Sequence, residues 1–379
     1  MKSAFWGMLA LASLATDIAA KTNQYYLYVG TYTGPKSKGI HAFRYDTAKT
    51  TFDPLGTVAE MARPSFLALS PNRRFLYAVS ELGNSGKSDG YVYAFAIDNT
   101  TGKLAFLNRQ SSGGGGACHL VVDKTGKFLF VANYGTGSAV SFPIQFDGSL
   151  GSLASKIQFA GSGPNQARQK GPHAHAVVLS PDNRFLFVPD LGADRIRIFH
   201  VDSKNGMLSP NTPADVAVKP GAGPRHFTFS PDGHFAYLIC EMGSLVVAYR
   251  YDSAAGSLTE IQTASTIPED FSGENNCAEI EVDSSGRFLY ASNRGHDSIA
   301  VFSIDRKTGK LQRIQIESTR GHTPRNFVID PTGRHLLAAN QDSDRVVVFN
   351  RDPRSGKLTA TDKTVEVPSP VCLLFNPAR

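Results

Sequence analysis

Ionisable residues gather in a few short stretches of otherwise apolar sequence. "GPHAH" (171–175) carries His173 and His175, "GPRH" (223–226) carries Arg225 and His226, "CEMG" (240–243) carries Glu241, and "SNRG" (292–295) carries Arg294. Arg325 and Gln341 follow in similar surroundings, and the loop before His173 adds Arg168 and Lys170. Arginine forks suit carboxylate and phosphate groups, and a cleft focused toward positive charge favours small anions. Charges in apolar surroundings cost free energy unless paired, so their presence asks for a function. The competing explanation is structural: Arg225 with Glu241, or Arg294 with Glu279, as ion pairs that stitch neighbouring elements.

The elements that must position these residues are repeats. "RFLFVPDLGADRIRIFHVD" recurs as "RFLYAVSELGNSGKSDGYVYAFAID", "KFLFVANYGTGSAVSFPI", "HFAYLICEMGSLVVAYRYD", "RFLYASNRGHDSIAVFSID" and "RHLLAANQDSDRVVVFNRD", and "YYLYVGTYTGPKSKGIHAFRYD" makes a seventh copy. The aromatic closing each copy falls at Phe43, Phe95, Phe142, Phe199, Tyr249, Phe302 and Phe349, at intervals of 47 to 57 residues. A period near fifty signals a propeller or similar array. Each repeat reads as a strand, a "PDG"-type turn, a second strand, a loop, a third strand, and a D-x-x-x-G-x-L turn into a fourth. The expected fold is therefore all-β, a seven-bladed β-propeller with four antiparallel strands per blade. The chain starts on a second-strand sequence, "YLYVGTY", and ends on a first-strand sequence, "PVCLLFNP", so the two termini are expected to pair in one blade and close the ring.

In that geometry the start of each first strand and the end of each second strand share one rim. Aligned first strands place Ser65, Cys118, His175, Arg225, Ala278, Arg325 and Val371 at matching positions, followed by Phe66, His119, Ala176, His226, Glu279, Asn326 and Cys372. Aligned second strands bring Tyr32, Glu81, Tyr134, Leu191, Glu241, Arg294 and Gln341 to the same rim. This concentration of arginine, histidine and carboxylate marks the mouth as the functional end.

Other classes are disfavoured. The chain lacks a G-x-S-x-G elbow, an H-E-x-x-H pair and a G-x-G-x-x-G turn after a strand, and "GNSGKS" (83–88) is too short for a phosphate loop. The formal charge of +6 is not arranged in long basic runs with interleaved aromatics, so no nucleic acid partner is expected, and no amphipathic helix points to a membrane. Cys118, Cys240, Cys277 and Cys372 lie far apart with no C-x-x-C pair, so they read as packing residues, and no metal or cofactor is expected. Residues 1–20, with Lys2, the apolar "AFWGMLALASLA" and small residues up to Ala20, have the layout of a secretory signal, predicting export and a mature domain over 21–379 that acts as a monomer.

"YVGTYT", "GPHAHAVVLSP", "FVPDLGADRI", "GAGPRHFTFSPDG" and "SNRGHDSIAVF" together give a resemblance over roughly residues 25 to 376. The chain resembles the seven-bladed propeller lactonases, a family that includes propeller-type 6-phosphogluconolactonases and carboxy-cis,cis-muconate cyclases. The resemblance implies a catalytic set of His175, Arg225, Glu241 and Arg294; the rim positions add His226, Arg325 and Gln341, with His173 farther out on the loop, as residues expected around the substrate. It implies a lactonase acting on a sugar-acid lactone, with Glu241 or His175 as base and the arginines holding substrate anion and oxyanion. A cycloisomerase of muconate type and a non-catalytic binding propeller are the alternatives. An exported protein would not meet a cytosolic phosphorylated lactone, so export favours a non-phosphorylated aldonolactone.

Overall fold

Strands such as Phe75–Ser80, Phe128–Asn133, Phe185–Asp190 and Phe235–Cys240 are buried at every position, on both faces. Unbroken apolar runs suit a strand covered on two sides; a half-exposed strand would alternate. Outer strands such as Thr51–Glu60 instead present polar residues to solvent. The computed structural model describes residues 23–86 and 89–378. Its strands form seven four-stranded antiparallel sheets, and among the described residues the single helical turn is a 3₁₀ turn at Gln341–Ser343. The signal segment expected at residues 1–20 lies outside the described residues.

The sheets are the seven expected blades. Blade I joins residues 24–60 to the C-terminal strand Pro370–Pro377, in the order C-terminal strand, Gln24–Thr31, Gly39–Asp46, Thr51–Glu60. Blades II to VII are continuous, over 67–111, 117–158, 178–217, 224–265, 276–318 and 324–366. In each, the first strand is innermost and the fourth outermost. Seven buried apolar clusters hold the ring, one between each neighbouring pair of blades. No blade could bury its faces alone, which is why the repeats make one unit. All four cysteines are buried and free.

The D-x-x-x-G-x-L turns also join blades. In blade VI, Asp305 accepts the Lys307 N–H through its carboxylate (2.9 Å) and the Gly309 N–H through its carbonyl (2.7 Å), and Gly309 turns at φ +75°. The turn then lies against blade V: the Tyr237 hydroxyl donates to the Gly309 carbonyl at 3.2 Å, and a Cβ on Gly309 would stand 2.3 Å from the Phe235 ring. Gly148 on Phe75 and Gly356 on Phe288 repeat the arrangement elsewhere in the ring. Gly309→Ala is therefore expected to destabilise the protein by about 1–3 kcal/mol, through the left-handed backbone and the ring clash together. A denaturant midpoint equal to the wild type's would show that this turn does not hold the two blades.

Candidate active site

Inner strands of a propeller run along the central channel, so each blade offers its first rim residue to the same space. Six of the seven aligned first-strand positions, Ser65, Cys118, His175, Arg225, Arg325 and Val371, line the narrow throat of the channel. The seventh, Ala278, contributes its carbonyl, which accepts from Arg225 Nη1 at 2.6 Å. Above the throat opens a cavity of about 330 Å³, within the range of small-molecule sites. Its walls carry Tyr32, Glu81, Tyr134, Glu241 and Arg294 from the second-strand ends, together with Cys118, His175, Arg325, Arg63, Asn84, Arg168 and Asn276.

Glu241 is the hub of one side. Its Oε2 accepts from Arg225 Nε at 3.0 Å and lies 2.9 Å from Arg294 Nη2, while Oε1 takes Arg168 Nη2 at 2.6 Å. Burial alone would raise this carboxyl, but the charges of Arg294, Arg225 and Arg168 and the nearby His175 outweigh it and hold Glu241 well below the ordinary carboxylate range. Arg168 reaches in from the loop before blade IV because the buried Gln169 beside it anchors that loop, donating to the Leu191 carbonyl at 2.8 Å. Burial pushes Arg294 down to about 10, against the pull of Glu241 and with the repulsion of Arg225 and Arg325.

His175 is buried with Nε2 3.7 Å from Glu241 Oε2, and its Nδ1 has no hydrogen-bond partner among the described residues. Burial, followed by the positive charge of Arg225, lowers it well below its usual 6.5, so the imidazole is neutral at neutral pH. Tyr134 packs edge-on against it at 5.4 Å.

His173, His226, Arg325 and Gln341 are placed unequally. The His173 ring stacks on Tyr134 at 4.4 Å with Nδ1 2.8 Å from the Tyr134 carbonyl oxygen, and its backbone N–H donates to Asp190. It buttresses a wall residue and does not line the cavity. His-x-His at the start of this strand thus splits its work, one ring supporting and one facing the space. His226 lies in the throat, Nδ1 3.0 Å from Glu279 Oε1, with Glu279 Oε2 accepting from Asn326 at 2.5 Å. Glu279 is therefore the partner of His226, and Arg294 pairs with Glu241 instead. Arg325 borders both cavity and throat. Gln341 stands in the 3₁₀ turn with its amide on Asp342 at 3.0 Å, away from the cavity wall.

Alignment of the rim passed over Arg63 and Asn276. Both sit two residues before the first-strand rim position, outside the aligned columns, at the offset that His173 occupies in blade IV. Asn84, in an irregular loop with no counterpart among the repeats, had no such signal.

A ring of seven four-stranded blades with arginines converging on a buried carboxylate and a neutral histidine defines a class of small-molecule propeller enzymes. The sequence matches the family described as lactonase, 7-bladed beta-propeller, over residues 26–375, and the chain belongs to that family; like its 6-phosphogluconolactonase relatives it is an enzyme of the carboxylic-ester hydrolase class. It is 39% identical to a 6-phosphogluconolactonase of Bacillus subtilis over 352 residues, 93% of this chain and 98% of that protein. A 6-phosphogluconolactonase of Formosa agariphila is 38% identical over 307 residues, 80% of this chain and 86% of that protein. The solved structure of the Pseudomonas aeruginosa periplasmic gluconolactonase superposes with a TM-score of 0.88 at 36% identity, covering 94% of this chain and 100% of that one. Among the described residues no helix is long and apolar enough to cross a membrane.

Proposed function

We propose that the protein hydrolyses a sugar-acid lactone in the cavity above the channel throat, with His175 as general base. The observation that carries the assignment is a neutral, cavity-lining imidazole beside a carboxylate already neutralised by three guanidinium groups. Both oxygens of Glu241 are held by guanidinium groups, so it has no free position from which to take a proton, whereas His175 Nδ1 is unpartnered among the described residues. Glu241 is better suited to stabilise the imidazolium that forms when His175 takes a proton from water.

In this reading the water oxygen bonds to the lactone carbonyl carbon as His175 accepts its proton. Arg168 and Arg294 present N–H groups to the oxygen on which negative charge develops. The ring carbon–oxygen bond then breaks, and the proton on His175 passes to the departing ring oxygen, leaving an open-chain hydroxy acid. The names of the relatives, 6-phosphogluconolactonases and a periplasmic gluconolactonase, support a hexonic lactone as substrate class.

Purified protein assayed against glucono-1,5-lactone, its 6-phosphate and a carboxymuconolactone, with spontaneous hydrolysis subtracted, tests the assignment. Turnover of a sugar lactone is the expected result. Action on the carboxymuconolactone alone would point to the cycloisomerase, and turnover of none would leave a binding protein.

The pH profile follows from the His175 environment. A base whose pKa is lowered in the folded protein stays neutral until the pH falls through that lowered value, so kcat/KM should hold steady from pH 7.5 to below 6.5 before its acid limb begins. An acid limb centred at or above 6.5 would contradict a buried His175 as base.

A further inference from the structure

The cavity holds more positive charge than the Glu241 cluster uses. Four arginines and two carboxylates line it, and Arg225 adds a fifth guanidinium from the throat. Arg168, Arg225 and Arg294 all converge on Glu241. Arg63 and Arg325 do not. Among the described residues neither guanidinium makes an ion pair or a hydrogen bond, and Arg63 Nε is buried without a partner. Both instead pack over one ring, Arg63 4.3 Å and Arg325 5.1 Å from the centre of Tyr32.

Tyr32 is fixed in that position. Its hydroxyl donates to Glu81 Oε2 at 2.9 Å, Asn84 holds Glu81 Oε1 at 3.1 Å, and its backbone N–H donates to the Ser369 carbonyl at 3.1 Å. The nearest carboxylate, Glu81, is therefore engaged by neutral donors and leaves both forks open. Arg63 adopts φ +47°, the left-handed conformation shared by the equivalent Gly116, Gly223, Thr323 and Ser369 of other blades. Around the ring, Arg325, Tyr32 and Arg63 come from blade VII, blade I and the entry to blade II, across the mouth from Glu241 in blade V.

We infer that Arg63 and Arg325, both packed over the Tyr32 ring in the cavity wall, form a second anion subsite that binds a charged substituent of the substrate remote from the scissile carbonyl. This inference rests on the proposed lactonase reading and narrows it to lactones bearing a phosphoryl or carboxylate group, both of which match the guanidinium fork. A carboxylate at the far end of the sugar would satisfy the subsite and would also suit an exported enzyme.

The test compares kcat/KM for three lactones: glucono-1,5-lactone, its 6-phosphate, and an aldarolactone carrying a carboxylate at carbon 6. Wild-type protein should prefer one charged lactone over the neutral one, the 6-phosphate identifying a phosphoryl subsite and the aldarolactone a carboxylate subsite. In Arg63→Gln and Arg325→Gln that preference, expressed as a ratio, should fall about tenfold or more, the scale of one lost hydrogen bond to a charged group. Arg63→Lys keeps the charge without the fork, should lose less, and serves if the glutamine variants melt early. Equal treatment of all three lactones by wild type, or an unchanged ratio in the variants, would overturn the subsite. If no lactone is hydrolysed, the lactonase reading fails separately and calorimetry with 6-phosphogluconate, glucarate and gluconate decides. Tighter binding of 6-phosphogluconate or glucarate than of gluconate, weakened in the variants, would uphold the subsite; equal binding of all three would remove it.

Discussion

Glu241→Gln is expected to lose turnover and stability together. The carboxylate is 5% exposed and meets three guanidinium groups within 3.0 Å, so removing its charge leaves Arg225 and Arg294 buried without a counter-charge. Breaking a buried ion pair from one side typically costs about 3–5 kcal/mol. Turnover per folded molecule should fall on the order of 100-fold or more, because the same change releases Arg168 and Arg294, the groups proposed to hold the carbonyl oxygen. His175→Ala separates the two effects. Its ring gives up no hydrogen bond through Nδ1, so stability should fall less, while loss of the base should cost about 10²–10⁴-fold in rate. Thermal melting and lactone hydrolysis measured on both variants decide the matter. Activity that declines only with the folded fraction would reduce Glu241 to a stitch between blades, and a Glu241→Gln protein that melts like wild type would show that the cluster holds nothing together.

The sign of the pH dependence follows. Glu241 has a folded pKa below its unfolded value, so the stability it contributes is complete above the unfolded value of about 4.5 and is lost as pH falls through the depressed folded value. Wild type should accordingly lose stability steeply in acid, and Glu241→Gln should show a shallower acid slope from a lower starting point.

Repeat spacing made the fold legible because each blade restates one hydrophobic pattern, and strands buried on both faces write it as unbroken runs such as "FLYAVS" and "FAYLIC". Rim positions were legible for the same reason: the short turn between first and second strands fixes which residues share an end, and so brings His175, Arg225, Glu241 and Arg294 into one space from the sequence alone. Side-chain direction was another matter. Gln341 belongs to an aligned column and His173 stands two residues before His175, yet the His173 ring packs against Tyr134 and Gln341 is drawn into a 3₁₀ turn. Pairing was equally hidden, because Arg294 and His226 each had more than one carboxylate within conceivable reach, and the choice between Glu241 and Glu279 depends on depth in the channel.

Removing residues 370–379 is expected to open the ring and unfold the protein, and this is the largest effect anticipated from a change distant in sequence from the proposed catalytic residues. The strand Pro370–Pro377 is the innermost of blade I and pairs with Gln24–Thr31 from Tyr25 opposite Pro377 to Thr31 opposite Pro370. Val371, Leu373 and Phe375 are buried, Leu373 and Phe375 in the cluster between blades VII and I. At about 1.5–3 kcal/mol for each such side chain, their loss alone approaches the ~5–15 kcal/mol that separates folded from unfolded domains. Truncation would also bare the inner edge of Gln24–Thr31, an invitation to association. The consequence reaches the cavity, because the Ser369 carbonyl that receives the Tyr32 N–H leads directly into this strand, and the Tyr32 ring packs against both Arg63 and Arg325. Expression of the truncated chain should therefore yield aggregated or proteolysed material, and adding residues 370–379 as a separate peptide should restore part of the melting transition and of the lactone turnover. A truncated protein that melts at the wild-type temperature would show that blade I stands without its closing strand.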